Sequence, residues 1–267
     1  MITSVQNATV RSIRDLLKSR ERNRTGLFVL EGIRPVIAAI QACVEIEMIV
    51  TAPNLLRSPA AWRLVAEQRA NGRRVIDTSE HVFRGLSSRD HPYGLLCVGR
   101  QRWHEPANIP PPRGLGWVGL IEPRDPGNLG TILRVCDAVG CEAVFVLGHG
   151  AVDPYHPAAL RAAMGSTFAV PLARIGFDEF VSLVRRHEIP LIGASDDAGQ
   201  DYRSYRFSGP SALLMGRETA GATREERAAT TRMVRIPMGG SCDSLNLAVA
   251  TSLILYEAFH QRRSRED

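Results

Sequence analysis

The stretch W-V-G-L-I-E-P-R-D-P-G-N-L-G-T-I-L-R-V-C-D-A-V-G-C-E-A-V-F-V-L (117–147) decides the fold. An apolar run, WVGLIE (117–122), stops at Pro123. Pro126, Gly127 and Gly130 force a tight turn, and from about Leu129 to Val139 apolar residues return at helical spacing, before a second apolar run, EAVFVL (142–147). Strand, short turn, helix and strand make a βαβ unit, whose strands lie parallel and whose helix covers one sheet face. Downstream the alternation continues with a helix over Glu179–Arg186, the runs PLIGAS (190–195), ALLMG (212–216) and MVRIP (233–237), and a helix from about Ser244 to Arg262. Upstream, LFVLEG (27–32), EIEMIV (45–50), RRVIDT (73–78) and YGLLCVG (93–99) alternate with helical stretches at Arg34–Ala42 and Ala60–Ala70. Between the two series lies RQRWHEPANIPPPRG (100–114), with four prolines and no apolar periodicity. The expected class is α/β: a small N-terminal α/β domain over 1–100, a linker over 101–114, and a mainly parallel-sheet domain over 115–267. In such a sheet the site falls at the carboxyl ends of the strands.

Composition agrees with two folded domains. At 267 residues the chain exceeds the roughly 250 at which a single core stops growing. Its 44% hydrophobic and 23% charged residues exclude a disordered chain. No apolar run reaches the ~18 residues of a membrane span, and the opening MITSVQNATVRS lacks a secretory core, so a cytoplasmic protein is expected. The five cysteines are scattered without a C-x-x-C pair, and reduced thiols with no metal site are expected. Net charge is +5, and Lys18 is the only lysine. From Ala8 to Arg20, Val10, Ile13, Leu16 and Leu17 recur at helical spacing, with Arg11, Arg14 and Lys18 on the opposite face. That cationic side is a candidate contact for phosphate.

Three junctions concentrate Gly, Asn, Glu and Ser. In EPRDPGNLGTILRVCDAVG (122–140), Asn128 is placed to cap a helix that carries Arg134. In ALLMGRETAGA (212–222), Glu218 lies between Gly216 and Gly221. In IPMGGSCDSLNLAVATSLILYEAFHQRR (236–263), a Gly-Gly loop leads to Ser244 and Asn246 at the start of a long helix. Each alone reads equally well as a turn with a cap. No phosphate loop of the G-x-x-x-x-G-K-[ST] type, no strand-to-helix G-x-G-x-x-G and no G-x-S-x-G elbow is present, so nucleoside triphosphate, nicotinamide and serine-hydrolase readings have no motif.

Together, D-x-G-N-L-G-x-x-x-R (125–134), L-x-G-x-E-x-x-G (214–221) and I-P-M…S-L-N-L (236–247) resemble, in order and spacing, the three motifs of the SpoU/TrmH family of RNA ribose 2′-O-methyltransferases, within the SPOUT superfamily. S-x-Q-N (4–7), the basic helix and G-L-F-V-L-E-G (26–32) are similar to the N-terminal substrate-binding module of large-subunit rRNA methyltransferases, the thiostrepton-resistance type included. The resemblance implies a C-terminal domain that threads a loop into a trefoil knot and binds S-adenosyl-L-methionine there. It places Ala194, Ser195, Met215, Gly216, Ile236, Pro237, Met238 and Leu245 at the cofactor, and Asn128, Arg134, Glu218, Ser244 and Asn246 at catalytic and RNA-contacting positions. It also implies a homodimer acting on RNA, rRNA ahead of tRNA, through a final helix that offers Leu247, Val249, Leu253, Leu255 and Tyr256. LRAAMGSTF (160–168) departs from it, with Ala163 where many relatives carry serine.

A guanidinium is not a general base, so the role expected of Arg134 is to hold developing 2′-alkoxide charge or the adjacent phosphate. The proton acceptor stays open. Two other readings compete: a non-catalytic RNA-binding protein, against which the retained Asn128, Arg134, Ser244 and Asn246 speak, and a base methyltransferase, against which S-L-N after I-P-M speaks.

Overall fold

The computed structural model describes residues 1–114 and 116–266. The chain forms two compact units: Met1–Arg102 with Asp153–Phe168, and Trp103–Val152 with the chain from Ala169 onward.

The first unit opens with helix α1 (Ala8–Asp15), capped by the Asn7 side chain, which accepts from the Thr9 amide at 2.9 Å. Val10 and Ile13 are buried, as the spacing predicts. The predicted helix to Arg20 does not form: α1 ends at Asp15, and a turn separates it from α2 (Ser19–Thr25). Arg22 supplies the reason. Its fully buried guanidinium donates to the carbonyls of Leu16 at 3.0 Å and Leu17 at 2.9 Å, the acceptors a continuing helix would need. Its Nε donates to Asp153 at 2.7 Å. Lys18 therefore lies outside α1, as the residue before α2, and pairs with Asp15 at 2.9 Å.

Beyond the turn come β1 (Leu27–Glu31), α3 (Ile33–Gln41), β2 (Ile46–Thr51), α4 (Pro59–Ala70), β3 (Val75–Asp77), α5 (Glu80–Arg84) and β4 (Leu95–Arg100). The sheet order is β1-β4-β2-β3, antiparallel except for the β2–β3 pair. Its core packs Val10, Ile13 and Leu16 against Val29, Val50, Phe83 and Leu96.

The second unit contains β5 (Trp117–Ile121), α6 (Pro126–Val139) and β6 (Ala143–Leu147), the strands and helix of the quoted stretch. Next comes the Asp153–Phe168 segment with α7 (Pro157–Ala163), which belongs to the first unit, although the sequence reading placed it within 115–267. There the Tyr155 hydroxyl accepts from the Arg102 amide at 2.8 Å and donates to the Arg102 carbonyl at 2.7 Å, and Phe28 meets the rings of Tyr155 and Phe168. Ala163 is fully buried, so its position offers no side chain to solvent.

The second unit resumes with β7 (Leu172–Ile175), α8 (Phe177–Arg186), β8 (Leu191–Ala194), β9 (Gln200–Asp201), β10 (Ala212–Met215), α9 (Arg224–Ala228), β11 (Arg232–Arg235) and α10 (Leu247–Glu266). The sheet runs β7-β6-β5-β10-β8-β11-β9 and every described pairing is parallel. β5 and β6 are buried along their whole length, as strands covered on both faces must be. Trp117, Phe145 and Phe180 fill one side of this core. The proline-rich stretch read as a linker is instead tied into this unit from Trp103 onward. Ile109 is buried in its core, the His104 amide donates to the Leu172 carbonyl at 2.8 Å, and the Gly114 amide donates to the Glu142 carboxylate at 2.9 Å.

Candidate active site at the carboxyl ends of four adjacent strands

β5, β10, β8 and β11 are neighbours, and the loops leaving their carboxyl ends build one site. After β10, a Cβ on Gly216 would sit 2.4 Å from the Gly221 carbonyl carbon, and Gly221 takes φ +60°. Only glycines allow the chain to double back so tightly, and two hydrogen bonds between Arg217 and Gly221, of 3.0 and 3.1 Å, close the loop. This is the physical content of L-x-G-x-E-x-x-G. The closed loop projects Glu218 toward the β5–α6 turn, where its carboxylate accepts from the amides of Arg124 at 3.2 Å and Asp125 at 3.3 Å.

At the start of α6 the cap is Asp125, not Asn128: its carboxylate accepts from the Asn128 amide at 2.6 Å. Asp, the more local acceptor, takes the capping position ahead of Pro126 at the first helical turn. The Asn128 side chain is thereby released, and its Oδ1 accepts from Asn246 Nδ2 at 2.9 Å. Asn246 Oδ1 in turn accepts from the Ala248 amide at 2.9 Å and caps α10, which starts at Leu247 rather than at the expected Ser244. One amide–amide bond thus joins the N-terminal ends of two helices whose motifs lie 118 residues apart.

A cavity of about 380 Å³ is lined by Ala194, Ser195, Met215, Gly216, Ile236, Met238 and Leu245, seven of the eight residues expected at the cofactor; Pro237 is not among them. Glu218 and Ser244 also line it. Asn128, Asn246 and Arg134 do not. Arg134 is exposed on α6, and no hydrogen bond or ion pair holds its guanidinium among the described residues. Arg11 and Arg14 are exposed on α1 of the first unit, together with Lys18 in its altered place.

Sequence reasoning missed the ion pairs beneath this cavity. Arg217 donates to Glu122 at 3.0 Å and to Glu226 at 2.9 Å, and Glu122 adopts φ +42° at the end of β5. Arg227 donates to Asp197 at 2.7 Å, and Asp197 accepts from the Ser195 hydroxyl at 2.5 Å. Those hydrogen bonds, Ser195 first and Arg227 second, hold the Asp197 carboxyl below its usual range. T-R-E-E (223–226) carried a signal for one member, because it is a capping box. The pairing leaves both lining guanidiniums neutralised, while Glu218, Asp196 and Asp243 keep carboxylates at the rim.

Burial raises the Glu226 carboxyl, yet hydrogen bonds from Arg217 and from the Thr223 backbone outweigh it and hold the carboxyl below the ordinary value. A depressed carboxyl stabilises the fold above the ordinary glutamate value of about 4.3, and this is lost as pH falls through the lower folded-state value. Glu226→Gln is expected to cost about 2 kcal/mol at pH 7, between an exposed pair and a fully buried one. In urea melts the difference from wild type should close toward acid; a difference that persists there would refute the charge pairing.

From Pro237 to Leu245 the loop makes no backbone–backbone hydrogen bond among the described residues. Its amides and carbonyls are open to a ligand's polar edges, beside the apolar side chains of Met215, Ile236, Met238 and Leu245. That donor set fits S-adenosylmethionine: apolar walls for an adenine and a thioether chain, backbone groups for its polar rim, and carboxylates suited to a sulfonium. It does not fit a polyphosphate.

A carboxyl-end cavity in an all-parallel sheet, lined by the Gly216 loop and the 236–245 loop, is the arrangement expected of a SpoU methylase. The chain belongs to the SpoU rRNA Methylase family, whose profile matches residues 117–256, and residues 7–97 match the MRM3-like substrate binding domain. It is 30% identical to the 23S rRNA (uridine(2479)-2′-O)-methyltransferase of Streptomyces viridochromogenes, over 98% of this chain and 93% of that protein. Identity to the 23S rRNA (guanosine(2553)-2′-O)-methyltransferase RlmP of Bacillus subtilis is 28%, over 96% of this chain and 97% of that protein. Among solved structures, the AdoMet-bound rRNA methyltransferase from Sinorhizobium meliloti superposes with a TM-score of 0.88 at 35% identity, covering 98% of this chain and 97% of that one. Among the described residues no helix is long and apolar enough to cross a membrane.

Proposed function

We propose that this protein transfers a methyl group from S-adenosyl-L-methionine to a ribose 2′-hydroxyl of RNA, with 23S rRNA as the substrate class. The observation that carries the reading is the cavity at the carboxyl ends of β10, β8 and β11, with its backbone-open 237–245 loop and carboxylate rim. Relatives across nearly the whole chain are named 23S rRNA ribose 2′-O-methyltransferases, and one neighbour holds the cofactor. S-adenosylmethionine supplies an activated methyl group on a good leaving group.

The rest is the work of the chain. Met215, Gly216, Ile236, Pro237, Met238 and Leu245, with Ala194 and Ser195, hold the cofactor. Arg134 holds 2′-alkoxide or phosphate charge through a cation that is never deprotonated. Asn128 and Asn246 fix the two helix ends against each other, Glu218 fixes the β5–α6 turn, and Ser244 presents a hydroxyl at the cavity. Arg11 and Arg14 on α1, and Lys18 beside it, contact RNA phosphate. The reading includes the family's knot and a cytoplasmic place of action.

Isotope-labelled methyl transfer into rRNA, followed by alkaline hydrolysis, tests the function. A 2′-O-methylated ribose cannot attack its own 3′-phosphate, so one linkage per site should survive. Product that cleaves at every linkage, or protein that binds NAD and not S-adenosylmethionine in calorimetry, would overturn it.

The reading also includes a homodimer. Leu247 and Leu255, expected at the interface, are buried within the unit, while Val249, Leu253 and Tyr256 are 47%, 37% and 50% exposed at helical spacing on α10. Tyr256→Glu is expected to convert a dimer mass in light scattering to the monomer mass at micromolar concentration. A wild type that is already monomeric there would refute the dimer.

A further inference from the structure

The first unit carries a second group of cationic side chains, at the loop between α5 and β4. Glu31, at the end of β1, accepts from the Ser87 hydroxyl at 2.7 Å and the Ser88 amide at 3.2 Å, and so pins this loop. Arg161 of α7 reaches the same loop, donating to the Ser88 hydroxyl at 3.4 Å. Arg89 and Arg161 line one narrow cleft together with Glu31 and Ser88. Glu31 brings one negative charge to this cleft against two guanidiniums, and neither arginine forms a salt bridge with it or any other carboxylate among the described residues. Two guanidiniums against one carboxylate leave an excess positive charge that attracts an anion.

Beside them Tyr93 is 52% exposed, with the Arg89 guanidinium over its ring at 5.2 Å from the centroid. A guanidinium stacked by its face keeps its N–H edge for a phosphate, and it orients the ring whose other area meets solvent. An exposed aromatic under one guanidinium, with a second arginine on the same cleft as the first, is the recognition chemistry of an unstacked nucleobase with its phosphates.

We infer that this loop is a platform for an unpaired RNA nucleotide, Tyr93 stacking its base and Arg89 and Arg161 taking the flanking phosphates. The inference rests on the RNA reading above and specifies it: the first unit selects a loop or bulge rather than a duplex.

Fluorescence anisotropy of a labelled hairpin RNA, and of its stem as a blunt duplex, over a range of salt concentrations tests it. Tyr93→Ala is expected to weaken the hairpin about 5- to 150-fold without changing the salt slope or duplex binding, whereas Tyr93→Phe keeps wild-type affinity. The double variant Arg89→Ala, Arg161→Ala is expected to flatten the salt slope by about 1.4. Hydrogen exchange of the first unit's amides, unchanged in all three, shows that the variants are folded. Unchanged hairpin affinity in Tyr93→Ala, equal loss in Tyr93→Phe, an unchanged slope in the double variant, or displacement of the hairpin by polyglutamate as readily as by RNA would each overturn the platform. Wild-type methyl transfer to rRNA is scored separately. If it occurs while these variants bind normally, the platform fails and the enzyme reading stands; if it is absent while they weaken binding, the reverse holds.

Discussion

Arg134→Ala is expected to lower kcat by about 100-fold or more while leaving S-adenosylmethionine affinity near wild type. The separation follows from position. Arg134 lies on α6 and does not line the cavity, whose walls come from β8, β10, β11 and their loops. Removing it takes nothing from the cofactor, but it takes the unpaired cation from the motif helix. If that cation meets charge that exists only in the transition state, the loss appears in kcat and equally in kcat/KM. Arg134→Lys should recover only part, because an ammonium is a point charge where the guanidinium offers a planar fork. Steady-state kinetics with rRNA together with calorimetry for the cofactor check this. A near-normal kcat, or a cofactor affinity that falls in step with it, would remove Arg134 from the chemistry.

Arg22→Ala is expected to destabilise the first unit by about 3–5 kcal/mol. Its side chain is 1% exposed, its ion pair with Asp153 is 2.7 Å, and it also satisfies two carbonyls at the end of α1. Truncation leaves the buried Asp153 carboxylate without its counter-charge, held only by the Tyr155 amide, and strips a donor from the Leu16 and Leu17 carbonyls. Arg22→Met combined with Asp153→Asn should recover part of the loss, since it removes the stranded charge. Hydrogen exchange of the first unit's amides measures both variants; protection unchanged in Arg22→Ala would show that the pair carries no net stability.

Arg22 also marks where sequence reading stopped. As one of several basic residues near the N-terminus it reads as solvated charge, and its partner lies 131 residues away, in a segment no local pattern connects to the first unit. The helix ending at Asp15 was illegible for the same reason, since the apolar spacing through Leu16 and Leu17 continues without a break. Strands were legible where burial on both faces makes an apolar run, as in WVGLI and AVFVL. They were not where the run is four residues with Arg174 inside it, as in β7, or two polar residues, as in β9. At the site, the residues that line the cavity were found through the resemblance of three motifs taken together, since each loop alone reads as a turn. Glu122, Arg217 and Glu226 were missed because a charge pair across three elements leaves no periodicity to read.

The cavity draws all its lining residues from positions 194 to 250, and the start of α10 is fastened by Asn246 to the α6 turn. During synthesis, therefore, the first unit's strands and β5–α6–β6 emerge well before any cofactor pocket can exist. At about 5–20 residues per second the gap from β6 to the middle of α10 lasts roughly 5–20 s. A nascent chain can thus complete the strands of its first unit while still tethered to a ribosome, before the cofactor cavity exists. The order of its elements delays methyl transfer until everything from β8 to the start of α10 has been made.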